Sequence, residues 1–133
     1  LNATTTGQPI IIRSPEDAAK LLSPELRFLQ KEHFVVLFLN TKNHVIAKET
    51  ISIGSLNSTI VHPREIFKSA CKRSAAAIIL AHNHPSSDPT PSPEDIQLTT
   101  RVVECGMIIG IDVLDHIIIG GGRFYSLKQE GHM

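Results

Sequence analysis

The sequence is poor in the residues that mark several common protein classes. Among its 133 residues there are two cysteines, one tyrosine and no tryptophan. Cys71 and Cys105 lack the close spacing of a thiolate metal site, and they are too few for a disulfide framework. The longest apolar runs, at 34–39 and 75–81, fall far short of the roughly 20 residues that a membrane helix requires. The sequence therefore predicts neither a disulfide-rich secreted protein nor a membrane partner.

An excess of charge of either sign is also missing, since 13 basic and 13 acidic side chains cancel. Such a balance is untypical of a disordered acidic segment and of a highly basic nucleic-acid-binding protein. A stripe of Arg64, Lys68 and Lys72, with Arg73 beside it, is the one local patch that favours DNA contact, and a solvated helix face explains it better. Nucleic acid is therefore a weakly supported partner.

The length of the chain and its first residues favour one cytoplasmic domain. Residues 1–9 lack the basic and apolar regions of a secretory signal. At this length a single domain can bury a core without a metal or a disulfide. We predict a short N-terminal segment at 1–13 and a single domain at 14–133.

Apolar periodicity, together with the positions of proline and glycine, predicts three helices and five strands. A capping serine or a proline marks each helix start. Pro24 is predicted to interrupt the first helix, and Gly106 is predicted to end the third. The predicted helices cover 14–31, 63–74 and 93–105, and the predicted strands cover 34–39, 45–53, 75–81, 108–119 and 124–127.

The segment that carries chemistry lies between residues 82 and 95. His82 and His84 stand two residues apart at a strand end, so their side chains project from one face and can reach a single ion. Asp95 is the natural third ligand, because Ser92 caps the next helix and an acid at its third position points back toward the loop. Four prolines between 85 and 93 stiffen the connection. Three ligands with one open position are typical of catalytic zinc.

Neither half of this pattern is specific by itself. The tetrapeptide Ser-Pro-Glu-Asp occurs twice, at 14–17 and at 92–95, and the first copy is expected only to cap a helix. A pair of histidines at a strand end is more often structural than a ligand pair. The prediction therefore depends on the combination of strand-end histidines, a rigid loop of fixed length, and an acid at the third helical position.

This combination resembles the JAMM metalloprotease signature, which is an upstream glutamate followed by His-x-His-x7-Ser-x2-Asp. His82, His84, Ser92 and Asp95 match the signature without a gap. The chain is similar, more narrowly, to the bacterial RadC family, through three runs: Asn-His-Pro-Ser-Ser-Asp-Pro-Thr-Pro-Ser at 83–92, Leu-Asp-His-Ile at 114–117 and Tyr-Ser-Leu at 125–127.

The resemblance implies a fold and a metal. It implies a single α/β domain of the JAB/MPN type, in which a curved mixed β-sheet is flanked by helices on both faces, as in cytidine deaminase-like architectures. It also implies that zinc (Zn²⁺) is held by His82, His84 and Asp95, and that the hydroxyl of Ser92 supports the oxyanion. Ser87 departs from the family, where glycine is usual and can adopt a positive φ that serine disfavours.

The resemblance further implies a glutamate that takes a proton from the attacking water. Three acids are candidates. Glu32 directly precedes the apolar strand, Glu49 lies in the second strand of the predicted hairpin, and Glu65 lies at the start of the second helix. We favour Glu32 over Glu49, because the family glutamate stands just ahead of a buried strand. Glu65 is better explained as a charge at a helix N-terminus.

The implied activity is that of a zinc-dependent hydrolase, a metallopeptidase or isopeptidase that acts on a peptide or protein substrate. The alternatives are a zinc hydrolase of another substrate, a scaffold that keeps the fold without turnover, and a module associated with DNA repair. His116 is better explained as a hydrogen-bonded core histidine than as a buttress of the site. Asp88 is better explained by turn chemistry than by metal binding.

Overall fold

The computed structural model describes residues 8–54 and 61–133. The elements in these residues are α1 (Pro15–Leu26), β1 (His33–Leu39), β2 (Val45–Ile53), α2 (Pro63–Lys72), β3 (Ala77–Asn83), α3 (Pro93–Ile109), β4 (Asp112–Gly120) and β5 (Arg123–Ser126). The five strands form one sheet in the order β2-β1-β3-β4-β5. β3 and β4 are parallel, and the other neighbours are antiparallel. This is a mixed sheet in a single α/β domain, as the resemblance implied.

β1 shows why helices cover both faces of the sheet. Its apolar run is buried almost along its whole length, and alternate side chains point to opposite faces. Val35 and Leu37 pack in the core with α1, whereas Phe34 and Phe38 pack in the core with α2 and α3. Full burial of one such side chain stabilises the fold by about 1.5–3 kcal/mol. A strand buried on both sides requires a helical layer on each, which confirms that part of the prediction.

The N-terminal segment predicted at 1–13 lies partly outside the described residues, which begin at 8. Within them, Ile11 pairs with His44 in an isolated antiparallel bridge, next to the start of β2. None of the helices in 8–54 and 61–133 combines the length and apolarity needed to cross a bilayer.

The first helix differs from the prediction at Pro24. α1 runs through this proline and ends at Leu26, so the predicted continuation to residue 31 is wrong. Pro24 is exposed and lies in the last turn of α1. Because proline has no N–H, one helical hydrogen bond is missing there, on the solvent side of the helix. Leu22 and Leu26 are buried against the sheet on either side of it, and their packing holds the turn in helical form.

The third helix does not end at Gly106, contrary to the prediction. α3 continues to Ile109, and Gly110 caps it in the left-handed conformation with φ of 89°. A Cβ on Gly106 would lie 2.5 Å from the carbonyl oxygen of Ile111, so this glycine permits close packing of the helix at the start of β4. The strand predicted from Ile108 consequently begins only at Asp112.

Candidate metal centre

Three potential ligands meet at one end of the sheet. His82 is the penultimate residue of β3, and His84 follows the strand directly. The proline-rich loop then leads to α3, whose first turn contains Asp95. Because β3 is flanked by β1 and β4, His82 is fully buried; Asp95 is nearly so, and His84 is partly exposed.

A capping box fixes the direction of the Asp95 carboxylate. Oγ of Ser92 accepts a hydrogen bond from the Asp95 N–H at 3.1 Å, and Oδ2 of Asp95 accepts one from the Ser92 N–H at 2.9 Å. The two bonds satisfy N–H groups that have no partner inside the helix. They also keep the carboxylate at the start of α3, where it faces the end of β3.

The ligand atoms converge with the spacing of a small metal ion. Nε2 of His82 lies 3.0 Å from Nε2 of His84 and 3.4 Å from Oδ1 of Asp95. Nε2 of His84 lies 3.1 Å from Oδ2 of Asp95. Atoms that bind zinc tetrahedrally at about 2.0–2.2 Å stand about 3.3–3.6 Å apart. The three residues therefore fit a metal ion with a further position left open.

The electrostatics of the cluster favour positive charge at its centre. Burial by itself raises the pKa of Asp95, but hydrogen bonds with His82 and His84 and the charge of His82 hold that pKa well below its usual range. Burial lowers the pKa of His84, yet its bonds to Asp95 and to the Asp88 carbonyl, with the charges of Asp95 and Glu32, raise it above its usual value. The carboxylate thus stays ionised, and it favours either a protonated His84 or a bound cation beside it.

The second ring nitrogen of each histidine is also engaged. Nδ1 of His84 donates to the carbonyl oxygen of Asp88 in the proline loop at 2.9 Å. Nδ1 of His82 lies 2.8 Å from Nε2 of His116 in β4. His116 is fully buried, and this burial lowers the pKa of its imidazole well below the usual range, so the ring is neutral. His116 is a hydrogen-bonded core histidine, as predicted, and its bond to one of the three potential ligands also gives it the buttressing contact that the prediction ranked second.

Known proteins are similar to this chain in sequence over most of its length. Residues 12–132 match a family described as a RadC-like JAB domain. A UPF0758 protein of Bacillus cereus is 67% identical over 122 residues, which cover 92% of this chain and 54% of the relative. A UPF0758 protein of Bacillus velezensis is 59% identical over 133 residues, which cover 100% of this chain and 58% of the relative. The chain belongs to the RadC family. It spans about half the length of these curated relatives.

The proline loop of this RadC domain contains Ser87, where the resemblance implied glycine. Ser87 adopts a φ of 74°, the left-handed conformation that glycine adopts without a Cβ penalty. The carboxylate of Asp88 accepts hydrogen bonds from the N–H and the hydroxyl of Thr90 at 3.0 and 2.8 Å. Asp88 therefore makes the local turn that was predicted for it.

Asn83 links the end of β3 to the segment that carries Glu32. Its buried side chain accepts a hydrogen bond from the His33 N–H at 2.7 Å and donates one to the Lys31 carbonyl at 3.0 Å. These bonds hold the backbone on both sides of Glu32 beside the metal centre, and the Glu32 charge contributes to the raised pKa of His84. The sequence-based prediction omitted Asn83, although its place between the two histidines, on the opposite face of the strand, was the available signal.

The other two candidate bases of this RadC domain have partners of their own. Glu49 in β2 accepts hydrogen bonds from the Ser69 hydroxyl at 2.9 Å and from the Arg73 guanidinium at 3.1 Å. Glu65 lies in the first turn of α2 with Arg64 at 3.9 Å, as expected of a charge at a helix start. The assignment of the general base to Glu32 stays a prediction.

Proposed function

We propose that this chain is a zinc-dependent hydrolase that cleaves peptide or isopeptide bonds in a protein or peptide substrate. The observation that carries the proposal is the cluster of His82, His84 and Asp95, whose ligand atoms lie 3.0 to 3.4 Å apart. Three protein ligands with an open position are the catalytic kind of zinc site, whereas structural zinc sites use four. Membership of a JAB-domain family supports the same chemistry.

Glu32 has the part of the general base in this proposal. Zinc held by the three ligands would lower the pKa of a water molecule to about 7 and polarise the substrate carbonyl. The Glu32 carboxylate then takes the proton of the attacking water and passes it to the leaving amine. Two observations support Glu32: the Asn83 bonds hold its backbone beside the ligands, and its charge contributes to the raised pKa of His84.

Ser92 is suited to stabilise the oxyanion while it caps the helix. In the hydrogen bonds of the described residues its Oγ is only an acceptor, from the Asp95 N–H. A hydroxyl also has one hydrogen to donate, so the two roles do not compete. Loss of a comparable oxyanion donor lowers kcat by about 10²- to 10³-fold.

A protein or peptide substrate in the cytoplasm agrees best with the rest of the chain. Cys71 and Cys105 are free thiols, which suits a reducing compartment. Basic and acidic side chains cancel, and Arg73 at the end of the basic stripe already pairs with Glu49 at 3.1 Å. Nucleic acid would find little of the positive surface from which most of its affinity comes.

The test separates metal binding from turnover. Wild type purified without metal-affinity resin should contain about one zinc ion per chain by elemental analysis. A His82→Ala/Asp95→Ala variant should contain none. Zinc-loaded wild type should cleave members of an internally quenched peptide library or a lysine-isopeptide reporter, and Glu32→Gln should keep zinc and lose about 10²- to 10⁴-fold in rate.

Glu49→Gln is the matched control for the base, since it makes the same change one strand away and should retain turnover. Full zinc content in the His82→Ala/Asp95→Ala variant would refute the metal assignment. Turnover of Glu32→Gln equal to that of wild type would refute the assignment of the base.

A further inference from the structure

Behind His82, two buried polar side chains continue the hydrogen bonding into the core. Nδ1 of His82 lies 2.8 Å from Nε2 of His116, and Nδ1 of His116 lies 2.6 Å from Oγ1 of Thr99 on α3. The Thr99 hydroxyl donates to the carbonyl oxygen of Asp95 at 2.7 Å. His82, His116 and Thr99 are each 0% exposed, so bulk water does not compete for these bonds.

Only one direction of donation is compatible with a metal ion on Nε2 of His82. The Thr99 hydroxyl has a single hydrogen, which it gives to the Asp95 carbonyl, so its oxygen accepts the Nδ1–H of His116. A neutral imidazole has one N–H, so Nε2 of His116 accepts the Nδ1–H of His82. Nε2 of His82 is then left with a lone pair that faces the other two ligands.

We propose that His116 and Thr99 are positioning residues that hold His82 in its Nδ1–H form and thereby set the zinc affinity of the site. This role rests on the proposed zinc function, because neither residue is itself one of the three ligands. Outer partners of ligating histidines are usually carboxylates, backbone carbonyls or water. Here a second histidine takes that place, and a hydroxyl on a helix decides which of its nitrogens carries the proton.

The bonds form a closed circuit that joins two of the three ligands. At one end the Asp95 carboxylate lies 3.4 Å from Nε2 of His82, and at the other the Asp95 carbonyl receives the Thr99 hydroxyl. β3, β4 and the first turns of α3 are therefore tied to one another through side chains. Phe34 packs against the rings of both His82 and His116, with centroids 6.2 and 5.6 Å away, but its ring cannot select a tautomer because it offers no nitrogen or oxygen.

We term the chain of hydrogen bonds from Thr99 through His116 to His82 the relay. Thr99→Val tests it, because valine keeps the branched shape and removes the hydroxyl. The His116 proton is then free to move to Nε2, where it faces Nδ1 of His82 and forces the His82 proton onto the metal-binding nitrogen. We expect zinc affinity in a chelator competition to fall about 10- to 100-fold. Thr100→Val is the matched control, since Thr100 makes the same hydroxyl bond to the carbonyl of Ile96, at 3.1 Å, on an exposed face. It should bind zinc like wild type, and Thr99→Ser should recover the affinity.

Nitrogen-15 NMR of the imidazole rings supplies a readout that a merely structural role would not move. In zinc-loaded wild type, His82 and His116 should both carry their proton on Nδ1, and in Thr99→Val the His116 proton should move to Nε2. Equal zinc affinity of wild type and Thr99→Val would overturn the relay. A proton on Nε2 of His116 in wild type would also overturn it, whether or not the valine variant folds. Wild type that binds no zinc would refute the proposed function itself, and the relay with it.

Discussion

Gly120 is a position at which one added carbon should disturb a potential metal ligand, His84, that it does not touch. A Cβ at this last residue of β4 would lie 2.6 Å from the nitrogen of Pro89 and 2.9 Å from the carbonyl carbon of Asp88. Both are backbone atoms, so no side-chain rotation relieves the contact. The same Asp88 carbonyl accepts the Nδ1–H of His84 at 2.9 Å. Gly120→Ala should therefore displace the partner that orients His84.

The geometry gives the size of the effect. To move from 2.6 Å to an ordinary contact of 3.4 Å, the peptide between Asp88 and Pro89 must retreat by about 0.8 Å. A movement of that size along the His84 bond lengthens it from 2.9 Å to about 3.7 Å, beyond hydrogen-bond range. Loss of such a partner weakens metal binding about 10- to 100-fold, and overpacking lowers the free energy of unfolding by about 1–3 kcal/mol.

Two measurements decide the matter. Chelator competition gives the zinc affinity, and urea denaturation in excess chelator gives the free energy of unfolding of the metal-free protein. Gly122→Ala is the matched control in the same turn, because a Cβ there meets nothing nearer than the guanidinium of Arg27 at 3.5 Å. The control should behave like wild type in both. If Gly120→Ala binds zinc as tightly as Gly122→Ala, the loop carbonyl does not orient His84 and the reasoning fails.

Three further variants probe the surroundings of the site. Asn83→Leu should keep zinc, accelerate amide exchange at His33 and lower the free energy of unfolding by about 1–3 kcal/mol, because the His33 N–H loses its acceptor; unchanged exchange would contradict this. Pro89→Gly/Pro91→Gly should bind zinc more weakly in chelator competition, because glycine increases the freedom that the loop loses on ordering; equal affinity would show that the prolines do not preorganise the site. Burial raises the pKa of Asp115 despite its hydrogen bonds, so its stabilising contribution is full below about pH 4 and is lost as the pH rises through the folded pKa. The free energy of unfolding of Asp115→Asn relative to wild type should therefore rise between about pH 4 and pH 7 in urea titrations, and a constant difference would contradict the shift.

The parts of the site that depend on local signals were predictable from the sequence. A strand that ends before a proline puts His82 and His84 where an apolar run stops, and a capping serine puts Asp95 at the third position of its helix. The bounds of β2 also agree with the prediction, since alternation and flanking turn residues act within a few positions of each other.

Contacts between distant residues decided the rest. The bond between His33 and Asn83 joins positions 50 apart, and the bond between His82 and His116 joins positions 34 apart. Apolar periodicity in the sequence does not indicate such contacts, because they arise only when distant strands pair in the sheet. The same holds for Gly106. In the sequence it predicts the end of a helix, whereas in the fold its missing side chain allows α3 to pack closely against the Ile111 carbonyl.

The two copies of Ser-Pro-Glu-Asp show that the site depends on the surrounding fold as well as on this tetrapeptide. Ser14 and Ser92 each cap a helix, and their Oγ atoms accept the N–H of the residue three positions on at 3.3 and 3.1 Å. Asp17 in the first copy accepts a hydrogen bond from the Arg13 N–H at 2.8 Å. Asp95 in the second faces the Nε2 atoms of two histidines. Both serines cap a helix in the same way, but the two carboxylates have different partners, because a different element lies beside each cap.

The topology of the sheet determines which strand end lies beside the cap of α3. β3 and β4 are parallel, so the chain must cross over between them, and α3 is that crossover. A crossover helix in a parallel pair starts near the carboxyl end of the strand that precedes it. The cap of α3 is therefore brought to the strand end that carries His82 and His84, whereas α1 precedes β1 and joins no parallel pair in the described residues. The acid of the second copy becomes a potential ligand because of the crossover, and the same acid before β1 remains part of a helix cap.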